Sequence, residues 1–167
     1  MANTDAEAAP PATGEQAWVA EAVRIATDNV AAGGGPFGAL VVAGGEVVAT
    51  GTNRVTLDND PTAHAEIVAI RAAGRALGDF RMHGCVLVSS CEPCPLCLGA
   101  ALWSRVDRVV YAADRHDAAW AGFDDREFHE TFAQPRESWS MPVTQLATDG
   151  HDAPFVAWRA SPDRIDY

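Results

Sequence analysis

Apolar residues near the start of the chain recur three and four positions apart, which is the spacing of one face of an α-helix. This pattern runs from Gln16 to about Ala31 and predicts the first helix. The run Gly33-Gly34-Gly35-Pro36 ends it, because glycine and proline both disfavour helix interiors. Residues 1–14 show no such pattern, and we expect them to form a disordered tail.

A β-hairpin is predicted next. Residues 37–43 form a continuous apolar segment, and residues 46–52 form a second segment after the turn residues Gly44-Gly45. A polar loop then leads to a helical repeat that ends at Gly78. Thr62 is the expected cap of this second helix.

Farther along the chain, strand and helix patterns alternate. Strands are predicted at 85–89 and 106–113, with a helix at 94–104 between them. This alternation favours an α/β fold whose sheet is covered by helices on both faces. After residue 114 the pattern weakens, and the predicted elements are short helices at 118–123, 125–132 and 154–159 and a last strand at 143–146.

The composition is that of a single globular domain with an acidic surface. The chain has 167 residues, 48% of them hydrophobic, with a net charge of −11 and only 12 Lys and Arg residues. Tight binding of nucleic acid is not expected, because phosphate contacts need clustered cations. The sequence shows neither a secretory signal nor an apolar segment long enough to span a membrane, so we expect a cytoplasmic protein with no membrane partner.

The four cysteines crowd into a short stretch, at Cys85, Cys91, Cys94 and Cys97. In a chain without an export signal, such crowding favours metal chemistry over disulfides. Cys94 and Cys97 are three residues apart and therefore lie on the same side of a helix. The positive end of the helix dipole favours thiolates, the form of cysteine that binds metal.

A histidine and a glutamate upstream complete this pattern. His64-Ala65-Glu66, followed by Pro93-Cys94 and Cys97, matches the His-x-Glu and Pro-Cys-x-x-Cys signature of zinc-dependent base deaminases. His64, Cys94 and Cys97 make three zinc ligands, which leaves one position open, as in catalytic sites. Zn²⁺ is therefore the predicted cofactor.

Glu66 is the expected general acid and base. It can reach the same metal as His64 only in the first turn of a helix, and Pro61 and Thr62 predict that the helix begins there. Zinc lowers the pKa of a bound water to about 7. A carboxylate beside that water can take its proton and deliver it to the substrate.

Other interpretations of the cysteines explain less. A structural site made of all four leaves the His64 and Glu66 pair unexplained, and an iron–sulfur run would need a further cysteine soon after Cys97. Cys91 has a spacing that imitates a ligand, but we expect it to be a buried thiol. Cys85 is expected in the core.

Three segments together resemble the bacterial guanine deaminases of the cytidine-deaminase-like superfamily of zinc-dependent nucleobase and nucleoside deaminases. They are 64–66 (His-Ala-Glu), 90–100 (Ser-Cys-Glu-Pro-Cys-Pro-Leu-Cys-Leu-Gly-Ala) and 117–125 (Asp-Ala-Ala-Trp-Ala-Gly-Phe-Asp-Asp). The similarity runs from Gln16 to the end of the chain. The zinc motif is common to the superfamily, whereas the Gly-Phe-Asp-Asp element and the long C-terminal extension point to the guanine branch.

The resemblance implies a three-layer α/β/α sandwich on a five-stranded mixed sheet, formed by one deaminase domain at 15–167. It implies a homodimer, domain-swapped through a C-terminal lid segment at about 150–167. The implied reaction converts guanine, a small purine base, to xanthine and ammonia. In that reaction zinc-bound hydroxide attacks the amino-bearing ring carbon and Glu66 shuttles the protons.

The resemblance also implies roles for individual residues. Asp125 is the expected second catalytic acid, although Asp124 is an alternative and either aspartate could simply start the next helix. Trp120 stands where a polar residue is expected, and its role stays open. The implied substrate-binding residues are Asn53, Ala65, Phe37, Trp103 and Tyr167.

Other functions remain open at this point. Guanosine or another aminated heterocycle, such as an s-triazine, a pterin or a cytosine-type ring, would need the same chemistry. A tRNA adenosine deaminase shares the motif but is disfavoured by the acidic composition. A non-catalytic protein stabilised by zinc would have no use for Glu66.

Overall fold

The computed structural model describes residues 14–166. The expected disordered tail therefore lies, apart from Gly14, outside the described residues, and so does Tyr167. The chain divides into two compact units, Met1–His129 and Glu130–Tyr167.

The first unit contains a four-stranded mixed sheet in the order β2-β1-β3-β4. Its strands are β1 (Gly38–Ala43), β2 (Glu46–Thr52), β3 (Cys85–Cys91) and β4 (Arg108–Ala113). Strand β1 is antiparallel to both of its neighbours, and β3 and β4 are parallel. The turn between β1 and β2 has positive φ at both Gly44 and Gly45, as the glycine pair predicted.

Seven α-helices and one 3₁₀ turn account for the other elements of the described residues. They are α1 (Glu15–Ala31), α2 (Val55–Asp58), α3 (Ala65–Leu77), α4 (Pro95–Ser104), α5 (Arg115–Trp120), α6 (Arg126–Phe132), the 3₁₀ turn Arg136–Ser138 and α7 (Ala153–Ala160). Among the described residues, none of these helices is both long enough and apolar enough to cross a membrane.

The two faces of the sheet bury separate apolar clusters, which makes the three predicted α/β/α layers. Along β1, Ala39 and Val41 belong to the cluster beneath α3 and α4, whereas Leu40 and Val42 belong to the cluster beneath α1. This alternation follows from the two-residue period of a strand. Cys85 lies in the first cluster, as expected for a core thiol.

Glycine at position 51 allows β2 to approach the start of α3. A Cβ at Gly51 would lie 2.2 Å from the carbonyl oxygen of Ala65 and 2.5 Å from the amide nitrogen of Ala69. Any larger residue would push the helix away from the sheet. The first turn of α3, where His64 and Glu66 lie, is therefore held by direct backbone packing.

Four local predictions differ from the structure. The polar loop predicted after β2 contains the one-turn helix α2 (Val55–Asp58), and the helix predicted at 118–123 is α5 (Arg115–Trp120), which begins three residues earlier. Residues 142–148 form neither helix nor strand, so the sheet of the described chain has four strands and not five. Apolar residues make a strand only where a sheet edge accepts their backbone, and Val143 and Leu146 are both exposed here. Thr62 does not cap α3, because His64 is the N-cap residue and Thr62 instead hydrogen-bonds Asp60.

Candidate metal centre and active site

His64 and Cys94 are the N-cap residues of α3 and α4, and both have extended backbone angles. Pro95 takes the first helical position of α4, where its missing N–H costs no hydrogen bond. Cys97 lies in the first turn of α4 and is fully buried. Two helix N-termini thus converge on one point and bring these three side chains together.

The three side chains are spaced as zinc ligands should be. Nδ1 of His64 lies 3.5 Å from Sγ of Cys94 and 3.4 Å from Sγ of Cys97, and the two sulfurs are 3.7 Å apart. A tetrahedral zinc with ordinary bond lengths separates two sulfurs by about 3.8 Å and a sulfur from a nitrogen by about 3.6 Å. The donor set and its spacing therefore fit a zinc ion.

The electrostatics of the trio also favour a cation. A hydrogen bond from Cys97 lowers the pKa of Cys94 to about 4, and the same contact raises the pKa of Cys97. Hydrogen bonding to Cys94 raises the pKa of His64. One negative charge is thus already stabilised at the site, and a dication there would compensate a second thiolate.

Glu66 is buried next to this trio, in the first turn of α3. Ser89 of β3 donates its hydroxyl to Oε1 of Glu66 over 3.1 Å. Burial raises the pKa of Glu66, while hydrogen bonds from its own backbone and from Cys97 and Ser89 act in the opposite direction. A carboxyl group with a raised pKa can hold a proton that it has taken from water.

A cavity of about 690 Å³ opens onto these groups, entirely within the first unit. His64, Cys94 and Glu66 form one part of its wall. The other lining residues come from the end of α1, the following loop, the end of β2 and the segment from α5 to α6: Val30, Gly34, Gly35, Pro36, Phe37, Asn53, Val55, Thr56, Cys91, Glu92, Ala118, Ala121, Phe123, Asp124, Asp125 and Phe128.

Asn53 is buried in this wall and packs against the loop 33–36 (Gly-Gly-Gly-Pro), called the glycine loop below. A Cβ at Gly35 would lie 2.7 Å from Oδ1 of Asn53, so only glycine allows that approach. Asn29, in the last turn of α1, donates Nδ2 to the carbonyl oxygens of Gly35 at 2.8 Å and of Asn53 at 2.9 Å. Asn29 was not identified as a site residue from the sequence. The one available signal is that a polar residue precedes a run of glycines at the end of a helix.

The two adjacent aspartates have different environments. Asp124 is exposed, and its carboxylate receives the backbone N–H and the guanidinium of Arg126. The side chain of Asp125 is 20% exposed, and its Oδ1 is buried without a hydrogen-bond partner among the described residues. Oδ2 of Asp125 lies 3.4 Å from Nε2 of His129.

An ion pair joins the start of the zinc motif to the start of α5. Glu92 binds the guanidinium of Arg115, with Nε at 2.9 Å from Oε2 and Nη2 in contact with Oε1, and also accepts the backbone N–H of Arg115 at 3.1 Å. These hydrogen bonds lower the pKa of Glu92 to about 2. Arg115 was not identified from the sequence, because its partner lies 23 residues away.

Phe37 packs edge-to-face on Phe123 in the cavity wall, with ring centroids 5.1 Å apart and planes at 88°. Edge-to-face pairing of this kind holds both rings in fixed orientations. The cavity therefore has an aromatic wall between the glycine loop and the Gly122-Phe123-Asp124-Asp125 turn.

The structure does not bring every expected residue to the cavity. Ala65 is fully buried and does not line it, although its backbone N–H lies in the first turn of α3. Trp103 is 62% exposed on α4, and Trp120 is 91% exposed at the end of α5. Cys91 is a buried thiol, as expected, and burial raises its pKa to about 11.

Comparison with known proteins agrees with this geometry. Residues 12–113 match the family described as the cytidine and deoxycytidylate deaminase zinc-binding region. The chain is 46% identical to the guanine deaminase of Bacillus subtilis, over 91% of this chain and 98% of that protein. The crystal structure of guanine deaminase from Bacillus subtilis covers the same shares of both chains, with a TM-score of 0.87.

Two further relatives show how the similarity is distributed. A tRNA-specific adenosine deaminase of Bacillus subtilis is 38% identical over 60% of this chain and 63% of that protein. The structure of a guanine deaminase from Nitrosomonas europaea is 33% identical, covers 75% of this chain and 79% of that one, and has a TM-score of 0.63. The chain therefore belongs to the cytidine-deaminase-like family of zinc-dependent deaminases, and its similarity to bacterial guanine deaminase extends over nearly its whole length.

Proposed function

We propose that this protein is a zinc-dependent hydrolase that converts guanine to xanthine and ammonia. The observation that carries the proposal is Glu66, a buried carboxyl group beside three ligand atoms spaced for zinc, at the wall of a cavity large enough for a purine. A protein that used zinc only to stabilise its fold would have no use for that carboxyl group.

The extent of the similarity favours guanine over other bases. The family match ends at residue 113, and the match to the tRNA-specific adenosine deaminase covers 60% of the chain. The match to guanine deaminase covers 91% of the chain and therefore continues beyond residue 113. The Gly122-Phe123-Asp124-Asp125 turn lies after residue 113, outside the family match. The net charge of −11 also disfavours a polyanionic RNA substrate.

We assign the zinc ligands as His64 through Nδ1 and Cys94 and Cys97 through their sulfurs. A zinc ion bound there would supply Lewis-acid chemistry, which makes a water molecule acidic near neutral pH. The convergence of the N-termini of α3 and α4 favours the thiolates that ligation requires.

Glu66 carries the protons in the proposed reaction. The oxygen of a water molecule adds to the amino-bearing carbon of guanine, and the carboxylate of Glu66 takes one of its protons and gives it to a ring nitrogen. Glu66 then transfers the second proton to the amino group as the carbon–nitrogen bond breaks, so that ammonia leaves and the ring carbon keeps an oxygen. Ser89 holds Oε1 during these transfers, which leaves Oε2 to exchange protons.

The cavity wall provides the recognition groups. Asp125 has a buried oxygen that lacks a partner among the described residues, and a carboxylate can accept hydrogen bonds from the N–H and amino groups of one purine edge. The side-chain amide of Asn53 can pair with another polar edge of the base. Phe37 and Phe123 offer apolar surface to the ring. The backbone N–H of Ala65 is a further donor in the first turn of α3.

Ammonia release from a panel of guanine, guanosine, adenine, cytosine and cytidine tests the proposal. The expected result is turnover of guanine by the zinc-loaded protein and its loss in Glu66→Gln. Preferential turnover of guanosine, adenine or a pyrimidine would replace the proposed substrate. An inactive protein that still binds zinc through His64, Cys94 and Cys97 would support the non-catalytic alternative.

We also propose a homodimer whose C-terminal segment, about 150–167, covers the site of the neighbouring subunit. Exposed apolar side chains support it: Leu96, Leu98, Leu102 and Trp103 on α4 of the first unit, and Phe155, Val156 and Trp158 on α7 of the second. A contact of Trp103 with the base is not supported within one chain and stays a prediction, as does the cytoplasmic location.

Sedimentation and truncation test the dimer and the lid separately. The full chain is expected to sediment as a dimer, and a monomer would contradict the proposed interface. Removal of Ile165, Asp166 and Tyr167 is expected to leave zinc content and the dimer intact while it reduces guanine turnover. Unchanged turnover would exclude the lid.

A further inference from the structure

His129 has no role in the function proposed above, yet its side chain is 14% exposed and faces Asp125. The two residues are four apart on one turn at the start of α6, so their side chains are neighbours on the same helix face. Nε2 of His129 lies 3.4 Å from Oδ2 of Asp125. The contact is within ion-pair range but is not aligned as a hydrogen bond, and Nε2 has no other hydrogen-bond partner in the described part of the chain.

Asp125 needs a partner, because its surroundings are rich in carboxylates. Glu66 and Glu92 line the same cavity, and Arg115, a cation whose charge influences Asp125, donates its side-chain hydrogen bonds to Glu92. His129 is the side chain that directly faces the second oxygen of Asp125.

The two oxygens of Asp125 therefore have different surroundings. Oδ2 faces His129, while Oδ1 is buried without a hydrogen-bond partner within residues 14–166, in a residue that lines the cavity. A carboxylate that rotates freely presents either oxygen to a ligand. If a hydrogen bond to Oδ2 fixes its orientation, Oδ1 is the oxygen that faces the ligand. Hydrogen bonds that are long in a ligand-free site commonly shorten when the substrate binds.

We propose that His129 is a positioning residue for purine recognition: its Nε2–H donates to Oδ2 of Asp125 and holds the carboxylate so that Oδ1 accepts from the N–H and amino groups of the base. This inference rests on the proposed deamination of guanine. His129 touches neither the base nor the metal ligands in this arrangement, and it acts only through Asp125. The neutral Nε2–H tautomer suffices for this donation.

The test compares three substitutions of His129 in the zinc-loaded, full-length protein. His129→Leu removes the donor, His129→Asn keeps a polar amide that is too short to reach, and His129→Gln keeps an amide donor of similar reach. We expect kcat/KM for guanine to fall about 10- to 100-fold in the first two variants, mostly through a higher KM. A loss of this size corresponds to the removal of one hydrogen bond to a charged group. His129→Gln is expected to stay within about fivefold of the parent, because it retains the donor.

His116→Leu is the matched control, because His116 is exposed on the neighbouring helix α5. It is expected to leave kcat/KM unchanged. Zinc content and the thermal midpoint of each variant identify any loss that comes from misfolding. If His129→Leu does not fold, the comparison of the Asn and Gln variants gives the same test.

A double-mutant cycle decides whether His129 acts through Asp125. The variant that combines Asp125→Asn with His129→Leu is expected to have the same kcat/KM for guanine as Asp125→Asn alone. Additive losses would overturn the proposal, and so would Asn and Gln variants with equal kcat/KM. A parent protein without activity on guanine would instead overturn the proposed function, so the two failures are distinguishable.

Discussion

His64 and Cys94 occupy the same position on two different helices, each as the N-cap residue, and Nδ1 of His64 lies 3.5 Å from Sγ of Cys94. Two positive helix ends therefore meet where a thiolate pair and a carboxylate are needed. Because both residues have extended backbone angles, their side chains extend beyond the helix ends. The N-termini of α3 and α4 thus position the candidate zinc ligands, and the packing of both helices on the sheet sets the distance between these ligands.

Metal content provides the first prediction. The parent protein is expected to retain about one zinc per chain after dialysis, and Cys94→Ala combined with Cys97→Ala to retain almost none, because one ligand alone binds weakly. Elemental analysis measures both. Cys91→Ala is the control, since Cys91 is close in sequence but absent from the ligand trio. Equal zinc in the double variant would exclude the assigned ligands.

Glu66→Gln should keep zinc and the fold but lose turnover. Proton transfer by a positioned group contributes about 10²–10⁴-fold, and a glutamine cannot transfer a proton. Steady-state ammonia release measures the loss. Ser89→Ala should cost much less, because it removes one hydrogen bond to Oε1 and leaves the carboxyl group in place. Activity of Glu66→Gln within about tenfold of the parent would remove Glu66 from the mechanism.

Asp125→Asn and Asp124→Asn are expected to differ. The first replaces the carboxylate, whose buried oxygen has no partner in the described part of the chain, with an amide that accepts hydrogen bonds more weakly, so guanine turnover should fall by about tenfold or more. The second weakens an exposed ion pair with Arg126, which contributes little to function. The comparison of kcat/KM for both variants checks the assignment. The opposite ranking would identify Asp124 as the recognition residue.

Asn29 should affect the substrate site from outside it. Asn29→Asp replaces the Nδ2 donor with an acceptor that faces the carbonyl oxygens of Gly35 and Asn53. The free energy of unfolding should fall by about 1–3 kcal/mol, and KM for guanine should rise because the loop beside Asn53 loosens. Denaturant titration and kinetics measure the two effects. Asp28→Asn, an exposed neighbour, should change neither, and an unchanged KM in Asn29→Asp would restrict Asn29 to stability.

The ion pair of Glu92 with Arg115 makes a prediction about pH. The pKa of Glu92 in the folded protein, about 2, lies below the ordinary value of 4.5. The pair therefore stabilises the fold fully above about pH 5, and its contribution is lost as the pH falls from 4.5 through 2. Glu92→Gln should be less stable than the parent by about 1 kcal/mol near neutrality, a value reduced for the solvent exposure of Arg115.

Unfolding of the parent and of Glu92→Gln at a series of pH values checks this dependence. The difference between the two proteins should shrink on acidification, because protonation removes the charge that the variant lacks. Glu127→Gln, on the exposed side of α6, is the control. A difference that stays constant down to pH 3 would mean that Glu92 contributes by packing and not by charge.

Much of the fold and of the metal site was predictable because the relevant information is local in the sequence. The spacing of Cys94 and Cys97, the His64 and Glu66 pair and the glycine turn between β1 and β2 each depend on a few adjacent residues. Helical and strand periods likewise identified α1, α3, α4 and the four strands to within a few residues. The family resemblance then named Asn53, Phe37 and Asp125, which all line the cavity.

The tertiary structure determined the contacts between residues that are distant along the chain. The four-stranded sheet, the different surroundings of Asp124 and Asp125, and the contacts of Asn29, Ser89 and Arg115 all depend on packing. Ser89 and Glu66 are 23 residues apart, and Asn29 and Asn53 are 24 apart. A polar side chain carries no local signal of which distant group it will meet. Its partner is determined only when the sheet and helices pack and the buried polar atoms must be satisfied.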